Sequence, residues 1–427
     1  MVFDCVFNLI LTCFSYTLSI TAVDQGTPAT TGTATVTILI DDVNDNDPVI
    51  YGTYQVSVDE NSGINTVVTT VNATDGDSDV NSQLTFSIVS GNTDSDLKID
   101  ASMGLIQIAN SLDRERTSSY VLGVDVMDGG TPVRTSSVDV SISISDINDN
   151  GPIFTSVTFS FSVAEDVTVG YNVGTVTATD ADTGNNGDIS YSIPIFWLGI
   201  NSHFSISEST GIISTAGILD RETHETYNIM CRISDNGSPI FTNAVNITIL
   251  ITDVNDNDPV FNASSYSASF PENEATGTKI MSVFVTDIDS GVNQDVTLTI
   301  DTANIEGQTA NTYIALNSTS MTLSVKQNID REMTPTFQFT LVATDGGSAS
   351  RSSTTSISFI VEDLNDNSPS FTSSFYNFEI PYNDDCHVTV GVVAASDSDY
   401  ADTVLYYITT IEHSSIFSLN SSSGIFA

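Results

Sequence analysis

One pentapeptide, Asp-x-Asn-Asp-Asn, occurs four times along this 427-residue chain and constrains its fold more than any other feature. The four copies start at Asp42, Asp146, Asp253 and Asp363. Successive copies therefore lie 104, 107 and 110 residues apart, and a proline stands two residues beyond the end of each copy. A near-constant period of this length is the signature of an array of similar structural units.

Other acidic motifs keep a fixed distance from this pentapeptide, which we call the linker motif. Asp-Arg-Glu begins 33 residues before a linker motif at Asp113, Asp220 and Asp330. A glutamate precedes an Asp-x-Asp pair by 15 residues in Glu60 with Asp75/Asp77, Glu165 with Asp180/Asp182 and Glu272 with Asp287/Asp289. A fourth pair, Asp397/Asp399, has Tyr382 in place of the glutamate. An aspartate also stands eight residues beyond an aromatic residue in each unit, at Asp24, Asp128, Asp235 and Asp345.

The segments between these motifs have the pattern of β-strands. Val138, Val140, Ile142 and Ile144 alternate with polar residues, and helical spacing is absent. Turns rich in Gly and Pro, such as DGGTP at 128–132, separate the alternating segments. Short alternating strands in a unit of about 105 residues predict a β-sandwich with its own core.

Taken together, these motifs make the chain similar to the extracellular repeats of the cadherin superfamily. The matching elements are the linker motif with its proline, Leu-Asp-Arg-Glu at 112–115 and 219–222, the Asp-x-Asp pairs, Ala-x-Asp at 343–345 and Pro-Glu-Asn at 271–273. The resemblance covers residues 16–427 and implies an all-β fold of tandem Greek-key, seven-stranded β-sandwich repeats in a linear array. The single Trp197 lies inside a repeat, so the chain resembles the long fat, dachsous and protocadherin types more than cadherins that exchange an N-terminal strand bearing a tryptophan.

This register divides the chain into five repeats joined by four linkers. Repeat one is partial, at 16–47; repeats two, three and four are complete, at 48–151, 152–258 and 259–368; repeat five is truncated, at 369–427. Residues 1–15 do not fit, because positions 9–11 are Leu-Ile-Leu where Asp-Arg-Glu is expected. This apolar segment contains Asp4 and no basic residue, whereas a signal peptide has a basic start. A gene-model or fragment artefact is favoured over a signal peptide, and the mid-repeat end predicts a fragment.

Charge is concentrated in the motifs. The chain has 10 basic and 54 acidic residues, a balance that argues against binding nucleic acid or an anionic membrane surface. The motif positions hold 28 of the 54 acidic residues, which a device for solubility would not require. Two carboxylates about 5 Å apart repel by roughly 3 kcal/mol at an effective dielectric near 20. Calcium resolves such repulsion, because it takes about 6–8 oxygen ligands at about 2.3–2.6 Å.

The resemblance implies that calcium is held at each linker by residues of both adjoining repeats. Linker one offers Asn44, Asp45, Asn46, Asp75, Asp77 and Asp128, together with Asp42. Linker two offers Glu60, Asp113, Glu115, Asp146, Asn148, Asp149, Asn150, Asp180, Asp182, Asn186 and Asp235. Linker three offers Glu165, Asp220, Glu222, Asp253, Asn255, Asp256, Asn257, Asp287, Asp289, Asn293 and Asp345. Linker four offers Glu272, Asp330, Glu332, Asp363, Asn365, Asp366, Asn367, Asp397 and Asp399.

Roles within these sets follow the same resemblance. Asn148 and Asn150 would supply oxygens to one ion while Asp149 serves others, and Asn186 and Asn293 resemble backbone-carbonyl ligands. The first aspartate of each linker motif has two interpretations, as a ligand or as a cap on the linker turn. The arginines of Asp-Arg-Glu are expected to serve structure.

Other functional classes fit poorly. Residues 146–151 match the opening of an EF-hand loop, but its twelfth position is Val157 and no helix flanks it. The four histidines share no metal-ligand spacing, the four cysteines cannot form a disulfide framework, and no nucleophile or phosphate-loop motif occurs. We therefore expect a non-enzymatic chain.

The resemblance implies a calcium-dependent cell–cell adhesion ectodomain at the extracellular face of the plasma membrane. Its partner would be another cadherin-like chain, bound homophilically or heterophilically. No run of 18 apolar residues occurs, so a membrane anchor would lie in a segment outside this sequence. The alternatives are a structural spacer whose recognition sites lie in other repeats, and a soluble calcium-binding protein without adhesion.

Overall fold

A computed structural model of the chain describes residues 15–194, 202–301, 304–305, 308–380, 388–399, 403–410 and 416–427. The described residues form two compact units. One contains the residues up to Ser160 with Asn172–Ser214 and Asn228–Ile247, and the other contains Phe161–Tyr171, Thr215–Tyr227 and the residues from Thr248 onward. This division passes through repeat three, and the predicted repeat boundaries stay predictions. The interpretations of residues 1–14, Trp197 and Tyr382 lie outside the described residues.

Strands dominate the described residues. Up to residue 151 they are β1 (Ser15–Val23), β2 (Thr31–Leu39), β3 (Val49–Tyr51), β4 (Tyr54–Asp59), β5 (Val67–Thr70), β6 (Asn72–Thr74), β7 (Thr85–Ser90), β8 (Leu97–Ile99), β9 (Leu105–Ile108), β10 (Ser119–Met127) and β11 (Thr135–Ser145). They continue with β12 (Ile153–Phe154), β13 (Phe159–Ala164), β14 (Asn172–Thr175), β15 (Ala178–Thr179), β16 (Ser190–Ser192), β17 (Phe204–Ile206), β18 (Ile212–Thr215), β19 (Thr226–Ser234) and β20 (Thr242–Thr252).

The remaining strands are β21 (Val260–Phe261), β22 (Ser265–Pro271), β23 (Lys279–Ser282), β24 (Val285–Thr286), β25 (Thr297–Ile300), β26 (Asn304–Ile305), β27 (Gln308–Thr309), β28 (Ile314–Asn317), β29 (Thr322–Val325), β30 (Thr336–Thr344), β31 (Ser352–Glu362), β32 (Ser370–Phe371), β33 (Gly391–Val392), β34 (Ala395–Ser396) and β35 (Ile425–Phe426). Short helical turns occur at Asp79–Ser82, Gly291–Gln294 and Ala310–Tyr313. Among the described residues, no helix has the length and apolar character needed to cross a membrane.

Repeat two is a sandwich of two sheets. One sheet has the strand order β4-β11-β10-β7, in which β4 runs parallel to β11 and the other neighbours are antiparallel. The second layer contains β5-β9-β8 and the short pair β3-β6. Because one residue separates β5 from β6 and two separate β3 from β4, the nine segments form seven strands. The predicted all-β fold of tandem seven-stranded sandwiches is confirmed.

The alternation of apolar and polar residues in the sequence determines which side chains form the core of this sandwich. On β11, Val140, Ile142 and Ile144 are buried, and Ser143 between the two isoleucines is exposed. They pack with Ile106 and Leu122 in one continuous cluster. Branched side chains suit this position, because their restricted rotamers fit the pleated surface of a strand.

Repeat four repeats the architecture with a more aromatic core. Its main sheet has the order β22-β31-β30-β25, and β23-β29-β28 form the second layer. Phe359 is completely buried, with its ring centroid 5.7 Å from those of Phe270 and Phe339 and 5.4 Å from that of Phe337. In repeat three, β12 pairs with β15, β14 with β18 and β16 with β19, all antiparallel.

Candidate metal centres

The acidic motifs begin where the long strands end. β4, β10 and β11 end directly before Glu60, Asp128 and Asp146. Because β4 and β11 are parallel, Glu60 and Asp146 leave the sheet at the same edge, where the Glu60 amide donates to the Ser145 carbonyl over 3.1 Å. β10 is antiparallel to β11, so Asp128 lies at the opposite edge and serves linker one. The same positions after strands recur at Glu165, Asp235, Asp253, Glu272, Asp345 and Asp363.

The side chain of Glu60 is buried and binds two backbone amides. The Arg114 amide donates to Oε2 over 2.7 Å, and the Ile147 amide donates to Oε1 over 2.9 Å. Glu165 and Glu272 accept equivalent pairs of bonds of 2.7–2.9 Å at their own linkers. Each glutamate is thus fixed between the Asp-Arg-Glu motif and the linker motif of one repeat.

The predicted acidic residues gather in groups of three in which one oxygen of each lies within 4.8 Å of the others. Such groups are Glu60/Asp113/Glu115 and Glu115/Asp146/Asp182 at linker two, Glu165/Asp220/Glu222 and Glu222/Asp256/Asp289 at linker three, and Glu272/Asp330/Glu332 at linker four. Two oxygens on opposite sides of one calcium ion would lie about 4.6–5.2 Å apart, twice the metal–oxygen distance. Glu115 and Glu222 each belong to two groups, so one carboxylate could serve two neighbouring cations.

The Asp-x-Asp pairs supply further oxygens. The Asp182 amide donates to Asp180 Oδ1 over 3.1 Å, and the other three pairs have the same bond at 2.9–3.1 Å. The second oxygen of the first aspartate takes no part in this bond. In Asp75, Asp180 and Asp287 that oxygen is buried and has no hydrogen-bond donor.

The middle asparagine of the linker motif presents a similar oxygen. The amide nitrogen of Asn148 donates to Asp235 Oδ2 over 3.2 Å and to the Pro239 carbonyl. Its Oδ1 is therefore turned away from these groups and is buried without a donor, as are the Oδ1 atoms of Asn44 and Asn255. Buried polar atoms are normally satisfied, and these oxygens have the chemistry that a hard cation requires. The residues present fit calcium.

Burial and mutual repulsion act on the protonation of these acids. Burial raises the pKa of Asp180, and the charges of Asp182 and Asp235 raise it further. The pKa values of Glu115 and Glu222 are raised first by burial and then by Glu60 and Glu165 respectively. Burial and the neighbouring carboxylates both disfavour the charged forms of these acids.

The first aspartate of the linker motif receives a different set of contacts. Asp146 accepts hydrogen bonds from the Thr183 amide at 3.2 Å and from Asn186 Nδ2 at 2.8 Å, and it pairs with Arg114. Burial raises its pKa, but these three donors outweigh burial and lower the pKa overall. Asp42 and Asp253 accept equivalent bonds of 2.8–3.0 Å. These donors lie in the loop after the Asp-x-Asp pair and not in the linker turn, so both interpretations of the first aspartate stay predictions. The backbone carbonyl of Asn186, which is its predicted ligand group, takes no part in these bonds.

The last asparagine of the linker motif connects two carboxylates. Asn150 Nδ2 donates to Asp149 Oδ1 over 2.8 Å and to Asp182 Oδ1 over 2.9 Å. Asn257 and Asn367 make the same two bonds at 2.7–3.0 Å within their linkers. The amide nitrogen of Asn150 thus orders the two aspartates, and the oxygens that this residue could offer an ion are Oδ1 and the backbone carbonyl.

Several residues outside the predicted set also reach the linkers. Asn61 and Asn273 each donate over 2.5 Å to the second aspartate of a linker motif, and Asn81 is bonded to Asp42. Arg134 Nε donates to the Asn44 carbonyl over 3.0 Å, and Arg351 makes the same contact with the Asn255 carbonyl. Their positions relative to the motifs could have identified them. Asn61 and Asn273 directly follow Glu60 and Glu272, and Asn81 stands four residues beyond Asp77. Arg134 and Arg351 stand six residues beyond Asp128 and Asp345 respectively.

The linkers are not equally supplied. Linkers two and three bring together a buried glutamate, an Asp-Arg-Glu pair, the linker motif and the Asp-x-Asp pair. At linker one the sequence offers only the last two together with Asp128, since Asp-Arg-Glu is absent before Tyr16. At linker four, the side chain of Asn367 connects the Asp-x-Asp pair to Asp-Arg-Glu, because its Nδ2 donates to Asp399 Oδ1 over 2.8 Å and to Glu332 Oε2 over 3.0 Å.

Comparisons with known proteins show which family the sequence resembles. A family model described as the cadherin domain matches residues 54–145, 159–252 and 266–362. The protocadherin-like wing polarity protein stan of Drosophila melanogaster is 36% identical over 412 residues, which cover 95% of this chain and 11% of that protein. Protocadherin Fat 4 of Mus musculus is 35% identical over 417 residues, covering 96% of this chain and 8% of that protein.

Solved structures give the same result. The crystal structure of the protocadherin GammaB4 extracellular domain aligns with a TM-score of 0.72 and 32% identity, covering 97% of this chain and 66% of that one. Mouse cadherin-23 EC22-24 aligns with a TM-score of 0.60 and 30% identity, covering 75% of this chain and all of that one. The chain thus spans about a tenth of the length of these two curated relatives and a larger part of the solved ectodomains.

Proposed function

The chain belongs to the cadherin family, and from this premise we propose that it is a calcium-stiffened segment of a cell–cell adhesion ectodomain. As a chain of cadherin repeats of the Fat and protocadherin type it is not an enzyme. Its partner would be another cadherin-like chain, bound homophilically or heterophilically, at the extracellular face of the plasma membrane. One solved relative is described as a cis-dimer of protocadherin gammaB7, which supports a partner of this kind.

The observation that carries the calcium proposal is the set of buried oxygens that have no hydrogen-bond donor. At linker three they are Asn255 Oδ1 and the Oδ2 atoms of Asp287 and Asp289, beside the group Glu222/Asp256/Asp289. Leaving buried acceptors unpaired costs about 1–3 kcal/mol each, more when they are charged. Calcium would satisfy them and neutralise the repulsion, and the affinity would be that of extracellular modules, with Kd of about 10⁻⁴–10⁻³ M.

Replacing Asp256 by alanine is expected to weaken calcium binding at linker three by about tenfold or more, since even residues behind the ligands cost this much in metal sites. Asp149→Ala should do the same at linker two. Calcium titration with limited proteolysis, in which cleavage is mapped to each linker, measures the effect. Asp139→Ala is the matched control, because Asp139 is an exposed acid on β11. Titrations of both variants that match the unmodified chain would remove these aspartates from the ligand set.

Linker one is expected to bind less calcium, and more weakly, than linkers two and three. Half a coordination shell supplies six or more oxygens only with extensive recruitment of water. In the full-length protein, we expect the junction served by the Tyr382 position to be a bendable joint that is poor in calcium, since a phenol replaces a carboxylate there. Calcium occupancy refined for each linker in a crystal of a longer segment checks this. Equal occupancy at every linker would show that other groups replace the missing carboxylates.

Adhesion is tested separately from calcium binding. Beads coated with the full-length protein should aggregate with calcium and disperse with chelator. The structural-spacer alternative gains some support from the small share of its relatives that this chain covers, because recognition could reside in other repeats. Beads that carry only this chain would then stay dispersed while full-length beads aggregate. If full-length beads never aggregate, adhesion is wrong.

A further inference from the structure

The arginine of each Asp-Arg-Glu motif makes a contact that the calcium proposal does not use. The guanidinium of Arg114 is only 12% exposed and lies within the acidic cluster of linker two. It pairs with Asp146 through Nε and with Glu115 through Nη2. The same Nη2 donates to the carbonyl oxygen of Ala181 over 2.8 Å.

Ala181 is the middle residue of the Asp180-x-Asp182 pair, which follows the linker in sequence. Arg114 precedes the linker, so this hydrogen bond joins the residues before the linker to the Asp-x-Asp loop after it. The bond needs no metal ion. Because one guanidinium presents several N–H groups in a rigid fork, a single arginine can hold Asp146, Glu115 and Ala181 at once.

The contact is repeated at the next two linkers. Arg221 lies 2.5 Å from Asp253, pairs with Glu222 and donates to the Ile288 carbonyl over 3.0 Å. Arg331 makes the equivalent three contacts, with the Ser398 carbonyl at 3.1 Å. In all three linkers the arginine and the carbonyl are separated by 67 residues. A contact kept at one sequence separation in three linkers belongs to the architecture rather than to one local arrangement.

We propose that Arg114, Arg221 and Arg331 are calcium-independent latches that hold the Asp-x-Asp loop against its linker and so position the calcium ligands. Each latch orders the loop before an ion arrives, which lowers the entropy that binding must overcome. The part of this proposal that concerns calcium rests on the function proposed above. The latch itself rests only on the contacts of the arginines.

Electrostatics alone predicts the opposite effect on calcium. A fixed positive charge within the acidic cluster repels a divalent cation, so its removal would tighten calcium binding if charge were all that mattered. If the latch dominates, removal weakens binding. Lysine separates the two cases, because it keeps the charge and loses the planar fork.

The test uses Arg221→Gln and Arg221→Lys in the full chain, with calcium titration and limited proteolysis in chelator mapped to linker three. Both variants should bind calcium about tenfold more weakly at this linker. Both should also be cleaved there faster than the unmodified chain when calcium is absent. Arg232→Gln is the matched control, since Arg232 lies in the same repeat on β19 and is exposed.

The two readouts distinguish the latch from the calcium proposal. Tighter or equal calcium binding together with unchanged cleavage in chelator would overturn the latch. If the unmodified chain binds no calcium while both Arg221 variants are cleaved faster, the proposed function fails and the latch stands. Unchanged strand content by circular dichroism establishes that the variants fold, and Arg114→Gln repeats the test at linker two if they do not.

Discussion

Replacing Phe359 by alanine is expected to lower the free energy of unfolding of repeat four by about 3–5 kcal/mol, the usual cost of removing a buried aromatic side chain. Phe359 is completely buried, and its ring meets those of Phe270, Phe337 and Phe339 at centroid distances of 5.4–5.7 Å. The variant loses both the transfer free energy and the contacts around the cavity that remains. Urea unfolding at saturating calcium measures this loss. Proteolytic fragments show the unfolding of each repeat separately.

Phe284→Ala is the control, because Phe284 lies in the same repeat and is 60% exposed. It should change the free energy of unfolding by less than about 0.5 kcal/mol. Repeat two has a separate core around Ile106, Leu122 and Ile142, and it should keep its stability in the Phe359 variant. A loss below about 1 kcal/mol in repeat four, or an equal loss in repeat two, would contradict this description of independent cores.

Replacing Glu165 by alanine is expected to abolish most of the stabilisation that calcium gives to linker three. The side chain is buried, accepts bonds from the Arg221 and Val254 amides at 2.7 and 2.9 Å, and belongs to a group with Asp220 and Glu222. The variant removes a proposed ligand and leaves the Arg221 and Val254 amides without their acceptor. One ion present at a hundred times its Kd stabilises the folded state by about 2.7 kcal/mol. Melting temperatures with calcium and with chelator measure how much of this remains.

The control is Glu208→Ala, which removes an exposed carboxylate from the same repeat. Its rise in melting temperature on adding calcium should equal that of the unmodified chain. If Glu165→Ala also shows the full rise, Glu165 is a structural residue that only orders the backbone of the Asp-Arg-Glu and linker motifs.

Much of the architecture could be predicted from the sequence because the strands alternate and the motifs keep a constant phase. Ile142 and Ile144 are buried as their alternation indicates. The acidic residues converge for a simple reason: they directly follow strand ends, and β4 and β11 run parallel and end at one edge. Glu60 and Asp146, which are far apart in the sequence, therefore lie close together in space.

The position of a residue within the repeat could not predict which atom of its side chain faces a linker. Asn150 was expected to supply an oxygen, which stays a prediction, but its place in the motif gave no sign that its amide nitrogen faces Asp149 and Asp182. That orientation depends on where two carboxylates lie in space, and the sequence does not encode their positions locally. The contact between Arg114 and the Ala181 carbonyl is hidden for the same reason, since a backbone acceptor leaves no mark on residue type.

Small-angle X-ray scattering of the chain in calcium and in chelator tests the central claim most directly. Repeats two and four each have a core of their own, so circular dichroism should show the same strand content in both conditions. In chelator, uncompensated carboxylates at the linkers repel one another, and the loops are held by metal-independent contacts such as those of the arginines and of Asn150 with Asp182. We expect the scattering curve to change from that of a stiff particle to that of flexibly joined units when calcium is removed. An identical curve and an unchanged radius of gyration in both conditions would contradict it.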